Sequence, residues 1–363
     1  MPAARNGVNA YFLSLVPNIS LKISGLKTQV VIQMVTISSV WKRSHRPRFP
    51  VLVVSDFLES RVLAFDVGGS HVAAAVCCAP GFSLGSVASA PHASVSTSGA
   101  FLDLLHNLGM KANIGQEGVI GAMLAVPGPF DLQAGVSLMR HKLPYLYGVD
   151  LRQGLAQRFG FKPAQVRFLN DADAYLLGEI GAGAARGFGR AVGLTLGTGI
   201  GSAFAVDGHL VTEGPGVPSS GEIWNLPYRG GIVEDFISSR AIVGNYERST
   251  GKKREVVDLA AAAQSDQAAQ LAFTEFGQHL GVVTRTLLAE FHAAVIVLGG
   301  GISRSANLFL PAVRAEIGDS TTELRVSELK DKAALVGCGV AAFRTQNSSP
   351  DPGKSTPVQN AAL

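Results

Sequence analysis

The chain has 363 residues, 47% of them hydrophobic and 42 of them glycine, which excludes a fibrous or disordered polymer and allows a sizeable core in two domains or one large one. Its formal charge of +4 is concentrated at one end. Residues 1–60 hold seven basic side chains (Arg5, Lys22, Lys27, Lys42, Arg43, Arg46, Arg48) against Asp56 and Glu59, so the remainder is close to neutral and offers no basic face for nucleic acid.

Residues 1–60 contain two apolar stretches, AYFLSLVPNISL and TQVVIQMVTISSVW. Neither approaches the ~18 uninterrupted apolar residues of a spanning helix, and no leader-like pattern precedes a small-residue cleavage site. No membrane partner is expected, and 1–60 reads as an N-terminal extension, with an added strand or a partner-binding arm as the alternative. Three cysteines, Cys77, Cys78 and Cys338, lack CxxC spacing and cannot form an even disulfide set, so a reducing, cytoplasmic setting is expected.

From residue 61 strands and helices alternate. RVLAFDVGG and HVAAAVCCA read as two strands around a turn, AFLDLLHNLGM as a helix, and GVIGAMLAVPG as a buried strand ending in a Pro-Gly break. VDLRQGLAQRFG is an amphipathic helix stopped by Gly160, and VRFLND is a strand that delivers Asn170 and Asp171 to the start of the helix ADAYLLGEIGAGAARG. A second round follows: RAVGLTLGTGIGSAFAVDGHLV as strand, turn and strand, DQAAQLAFTEFGQHLGVVTRTLLAEF as a long helix, AAVIVLGGGIS as a buried strand, and DKAALVGCGVAAFR as a last helix. The strand–glycine turn–strand unit thus occurs twice, at 63–76 and 192–206, as two similar α/β lobes around a cleft would require. The polar, Pro-rich end, 345–363, reads as a disordered tail.

Three glycine turns could carry chemistry. In Asp66-Val67-Gly68-Gly69-Ser70, successive backbone N–H groups can converge on phosphate oxygens because no Cβ blocks the approach. A carboxylate beside such an anion implies a divalent cation between them, and Mg²⁺ is commonly held by one carboxylate plus phosphates and water. Thr195–Gly201 is a second turn, with Thr198 and Gly199 at its tip, and Gly299-Gly300-Gly301 a third, able to lie against a ribose or a flat ring. Each alone is equally a tight turn; three at separate strand ends converge on nucleotide binding. Two other nucleotide signatures fail: PDPGKST lacks the first P-loop glycine and a preceding strand, and no G-x-G-x-x-G opens a helix. Asp171, at a helix start, is a cap and also a candidate base, expected to be kept ionised by the helix dipole. Glu222, Asn225 and Glu234, in SSGEIWNLPYRGGIVEDF, supply polar groups for a polyol, while Trp224 and Tyr228 either line a sugar or anchor that loop.

Taken together, FDVGGS, VPGPFD, LPYLYGVDL, NDADAYLLGE, TLGTGIGSAFAVDG, GEIWN, VLGGGIS and DKAALVGCGVAAF resemble, in order, the sugar-kinase branch of the ROK family, bacterial glucokinases above all. The resemblance runs from about Arg61 to Arg344. It implies a two-lobe, actin-like, RNase H-like α/β fold with a central cleft: a small lobe over 61–170 joined by the C-terminal helix 331–344, and a large lobe over 171–330. It implies ATP held by Gly68, Gly69, Ser70, Thr198, Gly199 and Gly299–Gly301, with Asp66 facing Mg²⁺ through water and Asp171 as the base. Asn170, Asp171, Glu222, Asn225 and Glu234 stand at its sugar positions and Pro127-Gly128 at the turn closing over the sugar. The implied partners are a hexose, ATP and a second copy of the chain as a homodimer. The family histidine that helps bind a structural zinc is Asn225 here, and no cysteine lies between Cys78 and Cys338, so no zinc is expected. An amide still donates and accepts towards hydroxyls, yet the exchange bears on which sugar is bound.

The expected function is transfer of the γ-phosphoryl group of ATP to a sugar hydroxyl, with glucose to glucose 6-phosphate as the leading case. A kinase for another hexose or an N-acetylhexosamine is the first alternative. A sugar-sensing transcriptional regulator is the second; residues 1–60 show no helix–turn–helix periodicity to support it.

Overall fold

The computed structural model describes residues 60–112, 118–140, 142–318 and 321–347. The expected extension, except Ser60, and residues 348–363 of the expected tail lie outside the described residues.

Two sheets with the same strand order organise the chain. In the first, β1 (Arg61–Val67) runs antiparallel to β2 (His71–Cys78), and the short β3 (Ser83–Leu84) and β4 (Ala88–Pro91) both pair with β2. β5 (Val119–Val126) lies parallel to β1; beyond it come a small hairpin of β6 (Phe130–Asp131) and β7 (Val136–Ser137), and β8 (Val166–Asn170), parallel to β5. The order is β3-β2-β1-β5-β8. The second sheet repeats it with β9 (Arg190–Leu196), β10 (Ile200–Val206) and β11 (His209–Leu210); after a hairpin of β12 (Pro227–Tyr228) and β13 (Gly231–Ile232) it is completed by β14 (Val295–Gly299) and β15 (Glu323–Val326). Its order is β11-β10-β9-β14-β15, again antiparallel across the glycine turn and parallel beyond it. The internal echo seen in the sequence therefore extends to the whole sheet.

Alternation along β1 sorts its side chains between two cores. Leu63, Phe65 and Val67 face α1 (Ser98–Lys111) and α2 (Leu151–Phe159), where Phe101, Leu105 and Leu155 are fully buried. α2 starts at the Asp150 cap and stops at Gly160 in the left-handed region, φ 70°, as its sequence implied. Val62 and Ala64 face the opposite way, into a core shared with α3 (Asp171–Ala182) and the last helix. In the second sheet, Val192, Leu194 and Leu196 pack outward against α4 (Val233–Phe236), α5 (Ser239–Thr250), α6 (Val256–Ala262), α7 (Gln267–Leu287) and α8 (Ala306–Ile317). Ala191 packs inward against Tyr175 and Leu176 of α3. The last helix, α9 (Ala333–Asn347), covers the inner face of the first sheet. So α3 and α9 form the layer between the two sheets. None of the described helices is long and apolar enough to cross a membrane.

That middle layer is packed backbone to backbone. A Cβ on Gly337 of α9 would lie 1.7 Å from the Ala174 carbonyl oxygen, and one on Gly178 of α3 would lie 2.0 Å from that of Ala333. The next residue, Glu179, is wholly buried and accepts from Ser327 Oγ (2.5 Å) and from the N–H groups of Ala184 (2.7 Å), Leu329 (3.2 Å) and Glu328 (3.3 Å). A buried carboxylate is tolerated only with its lone pairs so engaged. Glu179 thereby pins the loop leading into α9 onto α3.

Gly337→Ala should therefore lower the unfolding free energy by about 1–3 kcal/mol, the usual cost of overpacking, measured by chemical denaturation. An unchanged unfolding midpoint would contradict the close crossing.

Candidate active site

In open α/β sheets ligands bind beyond the carboxyl ends of the parallel strands. The sequence-selected residues stand there: Asp66 next to last in β1, Pro127-Gly128 after β5, Asn170-Asp171 at the end of β8, Thr198-Gly199 after β9 and Gly299–Gly301 at the end of β14.

Asp66 is the electrostatic focus. Burial, followed by the negative charges of Asp171 and Asp331, pushes its carboxyl from the ordinary 3.8 up to about 7. The turn after it is closed by Gly68 N–H donating to the His71 carbonyl (2.9 Å), so that N–H is spent internally. Gly69 and Ser70 at the tip are exposed, and a Cβ on Gly69 would meet nothing within 4 Å. His92, only 4% exposed, supports the turn from behind: its Nε2 donates to the Gly68 carbonyl (2.9 Å) and its N–H to the Ser70 carbonyl (3.0 Å).

Asn170 caps α3 by accepting from the N–H groups of Ala172 (2.9 Å) and Asp173 (3.4 Å), which commits its carbonyl oxygen and leaves its amide as the group able to reach a ligand. Asp171 opens that helix. Burial raises its pKa; Lys142 and the Ala172 N–H oppose the rise, and Glu222 adds to it. Asp173 is pushed up to about 6 by burial, then by Asp171 and Glu222. Glu222 is thus brought to the Asp171 side of the cleft, where its carboxylate accepts from Trp224 Nε1 (2.9 Å). Asn225 is exposed. Tyr228 anchors this segment, hydrogen-bonded to His279 Nδ1 (3.0 Å) and edge-on to Phe236.

The second glycine turn lies against a carboxylate. Glu234, expected among the sugar ligands, has its carboxylate against that turn: it accepts from Ile200 N–H (3.3 Å) and Arg240 (3.1 Å), and a Cβ on Gly199 would fall 2.0 Å from it. A side chain at 199 would displace the Glu234 carboxylate, while Thr198 is exposed at the tip. In the third turn, Tyr175 fills the space where a Gly299 side chain would stand, and the Leu196 backbone does the same for Gly300, at φ 79°. Gly301 alone has open space beside it. Three residues after it, in the short 3-10 turn Gly301–Ser305, Arg304 grips Asp331 through both carboxylate oxygens (2.6 and 2.7 Å).

Sequence reasoning missed His92, Lys142, Arg304 and Asp331. None belongs to a glycine turn or a paired-acid motif, and each reaches the site only through tertiary packing. Among the described residues no group of three or more His, Cys, Asp or Glu side chains is arranged to hold a metal ion. One carboxylate, Asp66, beside a phosphate-sized turn nonetheless fits a hard cation that keeps most of its water.

The ROK family profile matches residues 62–342. The chain is 28% identical over 243 residues to the glucokinase of Thermotoga maritima, covering 58% of this chain and 75% of that one. It is 24% identical over 280 residues to the xylose repressor of Caldicellulosiruptor bescii, covering 69% of each. The ROK hexokinase structure from Thermus thermophilus superposes with a TM-score of 0.66 at 26% identity, over 79% of this chain and 99% of that one. The fold is the two-lobed, actin-like (RNase H-like) α/β ATPase fold with a central cleft.

The raised carboxylates set a pH dependence. Between the ordinary 3.8 and about 7 the folded protein keeps a proton on Asp66 that the unfolded chain has released, so stability falls as pH rises through this range and levels off above it. Asp66→Asn should flatten that slope in thermal melts of the ligand-free protein and raise its melting temperature at about pH 8. An unaltered slope would contradict the burial of charge at Asp66.

Proposed function

The chain belongs to the ROK family, and from that premise we propose that it is an ATP-dependent sugar kinase that phosphorylates a hexose hydroxyl, glucose to glucose 6-phosphate being the leading case. The observation that carries this reading is the meeting of Asp66 and Asp171. They leave the ends of different strands, yet lie close enough for the charge of one to raise the pKa of the other.

Asp171 accepts the proton of the sugar hydroxyl as that oxygen attacks the terminal phosphoryl group of ATP, and ADP leaves. Its raised pKa makes it a stronger base than an ordinary aspartate. Lys142 faces Asp171 and favours its ionised form. Asn170, through its amide, with Glu222 and Asn225, binds the sugar hydroxyls, and Pro127-Gly128 closes that side. The turns at Gly69-Ser70 and Thr198-Gly199 orient the phosphates, and Gly301 leaves room for the nucleoside. Asp66 would hold Mg²⁺ through water. When bound, that cation supplies charge neutralisation for the phosphates, and most of the rate enhancement in such transfers comes from positioning and neutralisation.

The similarity to a xylose repressor supports a second reading, a sugar-responsive regulator with little turnover. An ADP-release assay with ATP as donor, and direct detection of sugar phosphate with polyphosphate as donor, across glucose, mannose, fructose, allose and N-acetylhexosamines separates the two. The kinase reading expects sugar-dependent ADP release, and Asp171→Asn should lower kcat by about 10²–10⁴-fold, the usual contribution of a general base. No sugar-dependent release, or turnover in the variant within a few-fold of the parent, would contradict it.

A further inference from the structure

Trp224 stands at none of the sugar positions that the family resemblance assigns, yet it is 40% exposed and its indole N–H donates to Glu222 Oε2 (2.9 Å). We propose that Trp224 positions the Glu222 carboxylate for the sugar and lays its ring against the bound sugar. This rests on the kinase reading above only in taking Glu222 as a sugar ligand.

The backbone around Trp224 is fixed on both sides. Ile223, fully buried in the core of the second sheet, anchors the segment. Ser202 on β10 clamps it, its Oγ donating to the Gly221 carbonyl (2.6 Å) and accepting from Ile223 N–H (3.1 Å). The Trp224 carbonyl accepts from Glu234 N–H (3.0 Å). Glu222 is extended, with φ −100° and ψ 125°, and alternation about the buried Ile223 turns Glu222 and Trp224 to the open side together. That side is the cleft, because the Glu222 charge acts on Asp171 and Asp173.

Without a restraint Glu222 would leave that position. Asp171 and Asp173 repel its charge, and an exposed glutamate is free to swing into water, where like charges are screened. The indole N–H is a donor with no acceptor of its own, so it holds a carboxylate by a charge-assisted hydrogen bond. Held through Oε2, the carboxylate presents Oε1 to a hydroxyl with its rotamer freedom already spent, which is how preorganisation adds affinity. The ring contributes separately. A rigid, exposed indole suits a ligand with an apolar C–H face and hydroxyl edges, which describes a pyranose.

The test uses the full chain and the sugars named above. Trp41 and Trp224 are its two tryptophans, so Trp41→Phe leaves Trp224 as the sole indole reporter. A bound sugar should quench or blue-shift that emission saturably, because the ring leaves water. Trp224→Phe keeps a ring but loses the N–H; by calorimetry it should weaken sugar binding about ten-fold, the worth of one hydrogen bond to a charged group, with MgATP affinity and melting temperature unchanged. In a Glu222→Ala background the same substitution should change sugar affinity by less than about two-fold, whereas Trp224→Ala should still weaken it a few-fold through the lost ring. Silent emission at saturating sugar, unchanged sugar affinity in Trp224→Phe, a ten-fold loss that persists without Glu222, or equal losses for sugar and MgATP would each overturn the proposal. If sugar binding follows this pattern but no sugar is phosphorylated, the kinase reading fails and the role of Trp224 stands. If sugar is phosphorylated while the emission and the Trp224→Phe affinity stay unmoved, the role of Trp224 fails and the kinase reading stands. A parent that neither binds nor phosphorylates any of these sugars overturns both.

Discussion

The site depends on one contact, the backbone-to-backbone crossing of α3 and α9 at Gly178 and Gly337. Each sheet on its own presents only half of the chemistry. Asp66 leaves the first sheet on the face that α9 covers, Asp171 starts α3, and Asp331 stands just before α9. A single Cβ at the crossing would push the helices apart and with them the carboxylates at their ends. Glu179 reinforces the same junction: three of its four hydrogen bonds tie α3 to the loop that carries Asp331 towards Asp66. A buried, fully engaged carboxylate contributes specificity of arrangement more than net stability, because ion desolvation offsets much of what the hydrogen bonds return.

The crossing creates an electrostatic problem whose answer is the ligand. Asp66, Asp171, Asp173, Glu222 and Asp331 converge, and the first three have raised pKa values because charge is costly to keep in a partly dry cleft. Arg304 already pairs with Asp331 and Lys142 faces Asp171, so part of the charge is balanced within the protein. What remains is suited to a cation accompanied by phosphates, and in the proposed reading the two exposed turn tips at Gly69-Ser70 and Thr198 would supply donors for the anion. Burial of charge without a ligand is a stability cost that active sites commonly carry.

Much of this was legible in the sequence for a physical reason: the informative features are local. Two apolar runs broken by an Asp-Val-Gly-Gly-Ser turn, and again by Gly-Thr-Gly, report a strand pair directly, and Gly160 reports a helix end. The same locality marked Asp66 and Asp171. It said nothing of α5, α6 and α8, whose short, mixed faces are decided by packing on the second sheet, nor of the small strands at 83–91 and 130–137. Nor could it say that Glu234 braces Gly199, that Tyr175 occupies the space beside Gly299, or that His92 holds the first turn, since these are contacts between distant segments. The upward shift of Asp171 was not legible for a related reason: desolvation depends on what covers a residue, and sequence neighbours do not reveal the cover.

The central claim is that Asp171 and the Gly69-Ser70 turn address one reacting centre. A crystal structure with a bound hexose and a non-hydrolysable ATP analogue tests it most directly. The account predicts an Asp171 carboxylate oxygen within roughly 2.6–3.2 Å of one sugar hydroxyl, with the terminal phosphate seated at Gly69-Ser70 in line with that oxygen. A sugar bound out of reach of Asp171, or a terminal phosphate away from that turn, would contradict it.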